Sequence, residues 1–228
     1  MNFKELEKNT GVKFKDEDLI RKAFIHRSYL NEAKETMESN ERLEFLGDSI
    51  LSFLVSSYLY KEFPDKPEGE LTNLRSAIVK TKTLALISQK LELGKYLYLS
   101  RGEEEGGGRN NTSLLADTFE AFIGAIFLDS GIEEPRKILN QFLFPLLGDI
   151  LENKLYKDAK SSFQEEVQEK TRISPVYKVM KEEGPDHAKK FTVGVYVGDK
   201  LYGTGDGRNK QEAEQEAARS ALEKYHKV

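Results

Sequence analysis

Five carboxylates in two separate stretches carry the chemistry this chain could perform. In Asn40-Glu41-Arg42-Leu43-Glu44-Phe45-Leu46-Gly47-Asp48-Ser49-Ile50-Leu51, acids stand at i, i+3 and i+7. At about 100° per residue, Glu41, Glu44 and Asp48 fall within an arc of roughly 60° on a helix. Leu43, Leu46, Ile50, Phe53 and Leu54 form an apolar stripe beside them. Far downstream, Asp117 and Glu120 repeat the i, i+3 spacing inside the apolar run from Ser113 to Asp129. Acids on a buried face repel one another and lose hydration, which is unfavourable without cations. One acidic helix alone reads as a solvated charged face. Two in apolar settings support a second reading, an oxygen-only cluster suited to a hard ion such as Mg²⁺. The residues by themselves leave both readings open.

Helices must position these acids. Asn40 is a good N-cap for a helix running to about Tyr60, and acids in its first turn suit the helix dipole. Upstream, residues 3–30 read as two short helices, the second starting at Asp16-Glu17-Asp18. His26, a lone histidine, reads as structural, and 31–40 as a loop. Pro64, Pro67 and Gly69 mark a turn before a helix over Leu71–Val79. Arg75 reads as a surface arginine or a phosphate contact. Residues 82–93 form a helix ended by Gly94, 103–109 a loop, and 112–129 the second acidic helix. The pattern from Pro135 to Leu147 describes one more helix. Everything to about residue 152 is helical, without strand-like alternation.

At Asn153–Lys157 the apolar pattern lapses, which predicts a linker between a domain at 1–152 and another at 158–228. Beyond it the period changes. Residues 160–171 form an amphipathic helix, and 175–180, 191–197 and 201–205 read as strands. Gly198-Asp199 forms a two-residue hairpin turn. Asn209 caps a final helix through Ala213, Ala217, Ala221 and Leu222. The fold class is thus α+β and multidomain, an all-α domain followed by a small α-β-β-β-α domain.

Composition excludes several classes. The 228 residues include 35 basic and 39 acidic ones, a net charge of −4, which argues against a generic basic nucleic-acid binder. Residues 158–228 hold 13 basic and 13 acidic residues, so any surface for a polyanion must be a local patch. The chain has no cysteine, hence no disulfide framework and no thiolate metal site. It lacks an apolar signal core and any apolar run of membrane-spanning length, so a cytoplasmic location without membrane partners is expected. Gly106-Gly107-Gly108 is not followed by Gly-Lys-Ser/Thr, so no nucleotide cofactor is expected.

ERLEFLGDSIL at 41–51, LLADTFEAFIGAIFLDSG at 114–131 and His26-Arg27-Ser28-Tyr29 closely resemble the ribonuclease III family. The resemblance covers essentially the whole chain, with a double-stranded-RNA-binding domain at its C-terminal end. It implies a Mg²⁺-dependent endoribonuclease, with Mn²⁺ as a substitute. Such enzymes cut double-stranded RNA to 5′-phosphate and 3′-hydroxyl ends with short 3′ overhangs, in rRNA and mRNA processing. It implies a homodimer through the endonuclease domain, each protomer cutting one strand. Glu44, Asp117 and Glu120 would hold metal, Asp48 and Glu120 would be catalytic, and Glu41 would lie near the dimer interface and the RNA strand. A further acid is implied at the start of the segment after the proline turn; Glu68 matches best, with Glu70 two positions away. The His26 motif would support the active-site region.

In the second domain the resemblance assigns Ser161, Gln164 and Gln168 to 2′-hydroxyls in one minor groove. Gly184, Pro185 and His187 belong to the loop that meets the next minor groove, and Arg208 and Lys210 meet phosphates between. The family usually has adjacent lysines where this chain has Lys210-Gln211, which would weaken one contact. A non-catalytic double-stranded-RNA-binding regulator is the alternative. It would keep residues 158–228 and lose acids from the cluster, whereas here each acid is in place.

Overall fold

In the computed structural model, residues 3–33, 36–152, 159–185 and 189–225 are described. The chain forms two compact units that divide between residues 156 and 157. The first unit is helical: α1 (Lys4–Thr10), α2 (Glu17–Lys22), α3 (Glu41–Glu62), α4 (Glu68–Ile78), α5 (Thr81–Lys90), α6 (Arg101–Glu105), α7 (Thr112–Ser130), α8 (Glu133–Phe142) and α9 (Leu147–Glu152). The second consists of α10 (Ala159–Thr171), β1 (Val176–Glu183), β2 (Lys190–Val197), β3 (Lys200–Gly207) and α11 (Lys210–Tyr225).

The first unit is built around α7. Phe119, Ala121, Phe122, Ile123, Ala125 and Ile126 are fully buried. At about 1.5–3 kcal/mol for each large apolar side chain removed from water, this helix anchors the core. Asn111 starts it, its Oδ1 accepting the N–H groups of Ser113 (2.9 Å) and Leu114 (3.2 Å). Helix α3 crosses α7 with backbones in contact. A Cβ on Gly47 would lie 1.7 Å from the Glu120 carbonyl oxygen, and one on Gly124 2.3 Å from that of Leu43. Only glycine permits this approach.

Residues 24–26 are clamped from two sides. Tyr98 N–H donates to Phe24 O (2.9 Å) and His26 N–H to Tyr98 O (3.1 Å), while Asn40 N–H donates to Ile25 O (2.8 Å). Ile25 and Tyr98 thereby form an isolated parallel bridge, a strand-like pairing that helical periodicity could not reveal. Phe24 is fixed within ring contact of Phe3 (5.7 Å), Tyr96 (5.4 Å) and Phe122 (5.9 Å).

Several expectations are corrected. Asn40 occupies the N-cap position of α3 but makes no cap hydrogen bond; buried, it donates from Nδ2 to Ala23 O (3.2 Å). The buried face of α3 is Leu43, Gly47, Leu51, Leu54, Val55 and Leu59, so the apolar stripe is rotated from the one expected, and Phe53 is exposed. Helix α4 begins at Glu68, directly after Pro67. Helix α5 ends before Gly94: Glu92 takes the left-handed conformation (φ 56°), and Gly94 is needed instead for close approach to Arg109 O. The segment expected as a loop at 103–109 is the end of α6 followed by the start of a 3-10 turn over Gly108–Asn110. Arg109 holds it down by donating from Nη1 to the carbonyls of Gly94 (2.8 Å) and Leu97 (3.0 Å). The helix expected through Leu147 breaks after α8 at a 3-10 turn containing Pro145, which cannot donate to a helix interior.

In the second unit the sheet order is β1-β2-β3, antiparallel throughout. Gly198 takes φ 59° in the β2–β3 turn. Both helices pack on one face, burying Phe163, Val167, Val193, Val195, Ala213, Ala217 and Ala221. Gly203 and Gly205 let β3 lie against α11, where a Cβ would meet Ala217 backbone atoms at 2.4 and 2.1 Å. The linker expected at 153–157 lies outside the described residues.

Candidate metal centre and nucleic-acid interface

The α3–α7 crossing brings acids from the two sequence motifs together. Glu44, Asp117 and Glu120 each offer a carboxylate oxygen, and these oxygens lie within 4.8 Å of one another. Ligands of an octahedral Mg²⁺ stand about 2.9 Å apart when adjacent and about 4.2 Å when opposite, so the three carboxylates would close in on a shared ion. Burial pushes Glu120 up to about 8, reinforced by repulsion from Asp48, Asp117 and Glu44. Glu44 is raised first by burial and then by Asp117, Glu41 and Asp48. Asp117 is raised by burial, with His26 opposing. Among the described residues this is the one group of three acids or histidines with metal-binding spacing. A cation relieves each of these penalties at once, and an all-oxygen donor set selects a hard one.

Asp48 is exposed at the edge of the cluster, outside the converging trio, but close enough to act on Glu120 and Glu44. Glu41 is exposed as well; Ser39 Oγ donates to it (2.8 Å), and Arg27 stands 3.8 Å away. A cleft beside the cluster is lined by Glu41, Glu44 and Asp117 together with His26, Arg27, Asn40 and Thr118. Neither Glu68 nor Glu70 is brought to the cluster within this protomer. Glu68 accepts from Thr72 Oγ1 (3.0 Å), and Glu70 faces Lys66 (2.6 Å). Arg75 is turned inward, donating to Ser56 Oγ (3.0 Å), which ties α4 to α3.

Gly47 and Gly124 set the distance between the two acidic helices, and the sequence reading passed over both. The signal was present: a glycine inside a helical pattern is unfavourable by about 1 kcal/mol against alanine, so a packing reason should be sought.

In the second unit Ser161, Gln164 and Gln168 are exposed on α10, and Gln168 Nε2 donates to Ser174 Oγ (2.8 Å). Gly184 (φ 94°) and Pro185 are exposed after β1; His187 lies outside the described residues. Asn209 Oδ1 accepts Glu212 N–H (2.8 Å), and Glu212 reaches back to Arg208 N–H (2.8 Å), which pins the start of α11. The Arg208 side chain is exposed there. Lys210 lies 3.5 Å from Glu182, an exposed pair of little energetic weight.

Residues 16–147 match a family model described as Ribonuclease-III-like, and residues 159–225 match the double-stranded RNA binding motif. A protein of Pelotomaculum thermopropionicum named Ribonuclease 3 is 46% identical, with 96% of this chain and 91% of that protein aligned. Another of that name, from Oceanobacillus iheyensis, is 44% identical over 98% of both. A solved nuclease domain of ribonuclease III from Campylobacter jejuni, described for structural flexibility in a region involved in dimer formation, is 39% identical. It superposes with a TM-score of 0.58 and covers 63% of this chain and 99% of its own. No described helix is long and apolar enough to cross a membrane. Acids converge where the first family match lies and the sheet-and-helix unit occupies the second, and the chain belongs to the ribonuclease III family.

Proposed function

We propose that this protein is a Mg²⁺-dependent endoribonuclease specific for double-stranded RNA. The observation that carries the reading is the convergence of Glu44, Asp117 and Glu120 from two helices, in a chain whose second unit matches the double-stranded RNA binding motif. The donor set fits Mg²⁺, which when bound would neutralise the scissile phosphate and acidify the attacking water. Glu44, Asp117 and Glu120 would hold it, and Asp48 at the rim would accept a proton or orient water. Glu41, at the mouth of the cleft beside Arg27, would face the RNA strand. In the second unit Ser161, Gln164 and Gln168 would reach 2′-hydroxyls, and Gly184 and Pro185 would shape a second minor-groove contact. Arg208 and Lys210 would contact phosphates. The segment 153–157 would join the two. The direct test is long duplex RNA incubated with the protein, with and without Mg²⁺. Mg²⁺-dependent cutting to 5′-phosphate and 3′-hydroxyl ends is expected, and no cutting in Mg²⁺ would reject the reading.

A homodimer is part of the proposal. Phe45, Phe53 and Tyr60 are 78%, 60% and 75% exposed. At about 100° per residue they lie within about 80° of one another on α3. Such an apolar aromatic face on one helix suits a second copy of this chain. Two protomers would then present one acidic cluster to each strand. Phe45→Glu should weaken dimerisation by on the order of 30-fold or more, because the most exposed aromatic of this face is replaced by a charge. Light scattering would read the shift to monomer. A dimer of unchanged stability would show that this face is not the interface.

A further inference from the structure

The cleft beside the carboxylates is rich in acceptors, and the donors of Asn40 and Thr118 that line it are committed elsewhere. Asn40 turns its amide to Ala23 O, and Thr118 Oγ1 donates to Leu114 O (2.5 Å). Arg27 also lines the cleft, but its side chain is largely exposed and stands 3.8 Å from Glu41, so nothing holds its guanidinium in one place. His26 is different. Ser28 N–H points at His26 Nδ1 (3.3 Å), and Ser28 Oγ lies 2.8 Å from the same nitrogen. That hydroxyl already accepts Ser100 N–H (3.1 Å), so its own hydrogen is available for Nδ1. A proton on Nδ1 would meet the Ser28 N–H head-on. Nδ1 is therefore an acceptor, and the ring proton of the neutral imidazole sits on Nε2. No hydrogen bond engages Nε2 among the described residues. The backbone clamp on residues 25 and 26 places the residue, and the two contacts at Nδ1 orient its ring. The ring lines the cleft with Asp117 and acts electrostatically on that carboxyl.

We propose that His26 contacts RNA directly, its Nε2–H donating to a phosphate oxygen of the strand held at the carboxylates. An acceptor-lined cleft that receives a polyanion gains a fixed donor in this way, and the Ser28–Ser100 relay selects the tautomer that supplies it. The inference rests on the duplex-cleavage reading above.

Three substitutions separate this role from packing. His26→Gln keeps an N–H near Nε2, His26→Asn places its amide near Nδ1, and His26→Ala removes both. Single-turnover cleavage of duplex RNA in Mg²⁺ should fall about tenfold or more for Ala and Asn, with Gln within about threefold of wild type, the effect of one hydrogen bond to a charged group. Wild-type activity in His26→Ala, Asn performing as well as Gln, or equal loss in all three would overturn the proposal. A second readout does not need turnover. In ¹⁵N-histidine-labelled protein, with the signal assigned by its loss in His26→Gln, the free protein should show the Nε2–H tautomer. Duplex RNA added in Ca²⁺ should shift that signal. An Nδ1–H tautomer, or a signal unmoved by bound RNA, would reject His26 as a contact while leaving the cleavage reading intact. A shifted signal in a protein that cuts nothing would sink the cleavage reading alone.

Discussion

Glu120→Gln is expected to abolish cleavage while leaving duplex RNA binding nearly intact. Glu120 belongs to the converging trio, and an amide is a poor ligand for a hard cation. A bound ion supplies several kcal/mol of transition-state stabilisation. At about 1.36 kcal/mol per decade, its loss lowers the rate on the order of 10³-fold or more. The second unit keeps its contacts, so a gel shift should move by less than about twofold, since distant sites act independently. The same substitution should raise stability at alkaline pH when divalent ions are chelated. Glu120 is pushed up to about 8 in the fold, so its deprotonation is harder there than in the unfolded chain. The folded state of the wild type therefore loses stability as pH rises from the ordinary carboxylate range through about 8, and glutamine does not titrate. Thermal melts in EDTA should coincide near pH 5 and separate by pH 9, with the variant melting higher. Retained cleavage would remove Glu120 from the site, and a variant less stable at pH 9 would contradict the burial and repulsion inferred for it.

The two acidic helices were legible because their signals are local. The i, i+3 and i+7 acids and the continuous apolar run around Asp117 and Glu120 need no partner to be seen. The α-β-β-β-α order was legible for the same reason, since the period changes near residue 158 and Gly198-Asp199 marks the hairpin. The misses are tertiary. Asn40 looks like a cap, but donation from its Nδ2 to the Ala23 carbonyl holds the side chain in another orientation, and no cap bond forms. The rotation of the α3 buried face depends on α7, which periodicity within α3 cannot register, and so Phe53 was placed inward. The Ile25–Tyr98 bridge joins residues far apart in sequence, and the Ser28 hydroxyl that meets His26 Nδ1 is itself held by Ser100 N–H, 72 residues away. Of the acids, the trio is brought together by the helix crossing. Glu68 and Glu70 point elsewhere in this protomer, and at i, i+2 they do not share a helix face as the acids of α3 and α7 do.

Gly47→Ala should damage fold and site together, more than its single added methyl suggests. The new Cβ would sit 1.7 Å from the Glu120 carbonyl oxygen and 3.0 Å from Gly124 N, both backbone atoms. No side-chain rotation relieves such a contact, so α3 and α7 must separate by more than 1 Å at their crossing, or the fold must give way. Overpacking of this kind is unfavourable by about 1–3 kcal/mol and occasionally more. Glu44 and Asp48 flank Gly47 on α3, and Glu120 is the residue it touches on α7. The separation therefore opens the 4.8 Å carboxylate set directly. A misplacement of about 1 Å at a reacting centre can lower the rate by on the order of 10²-fold. Urea unfolding should show the lost stability, and cleavage of duplex RNA at a temperature where the variant stays folded should show the second effect. Ser49→Ala is the control, because Ser49 is exposed on the same helix and its hydroxyl only returns to Phe45 O (3.3 Å). It should unfold and cut like wild type. Gly47→Val should exceed Gly47→Ala in both measures, since its branched side chain meets the same backbone. A Gly47→Ala protein with wild-type stability and full activity would mean that the helices do not cross this closely, and the geometry derived for the metal centre would fall with that contact.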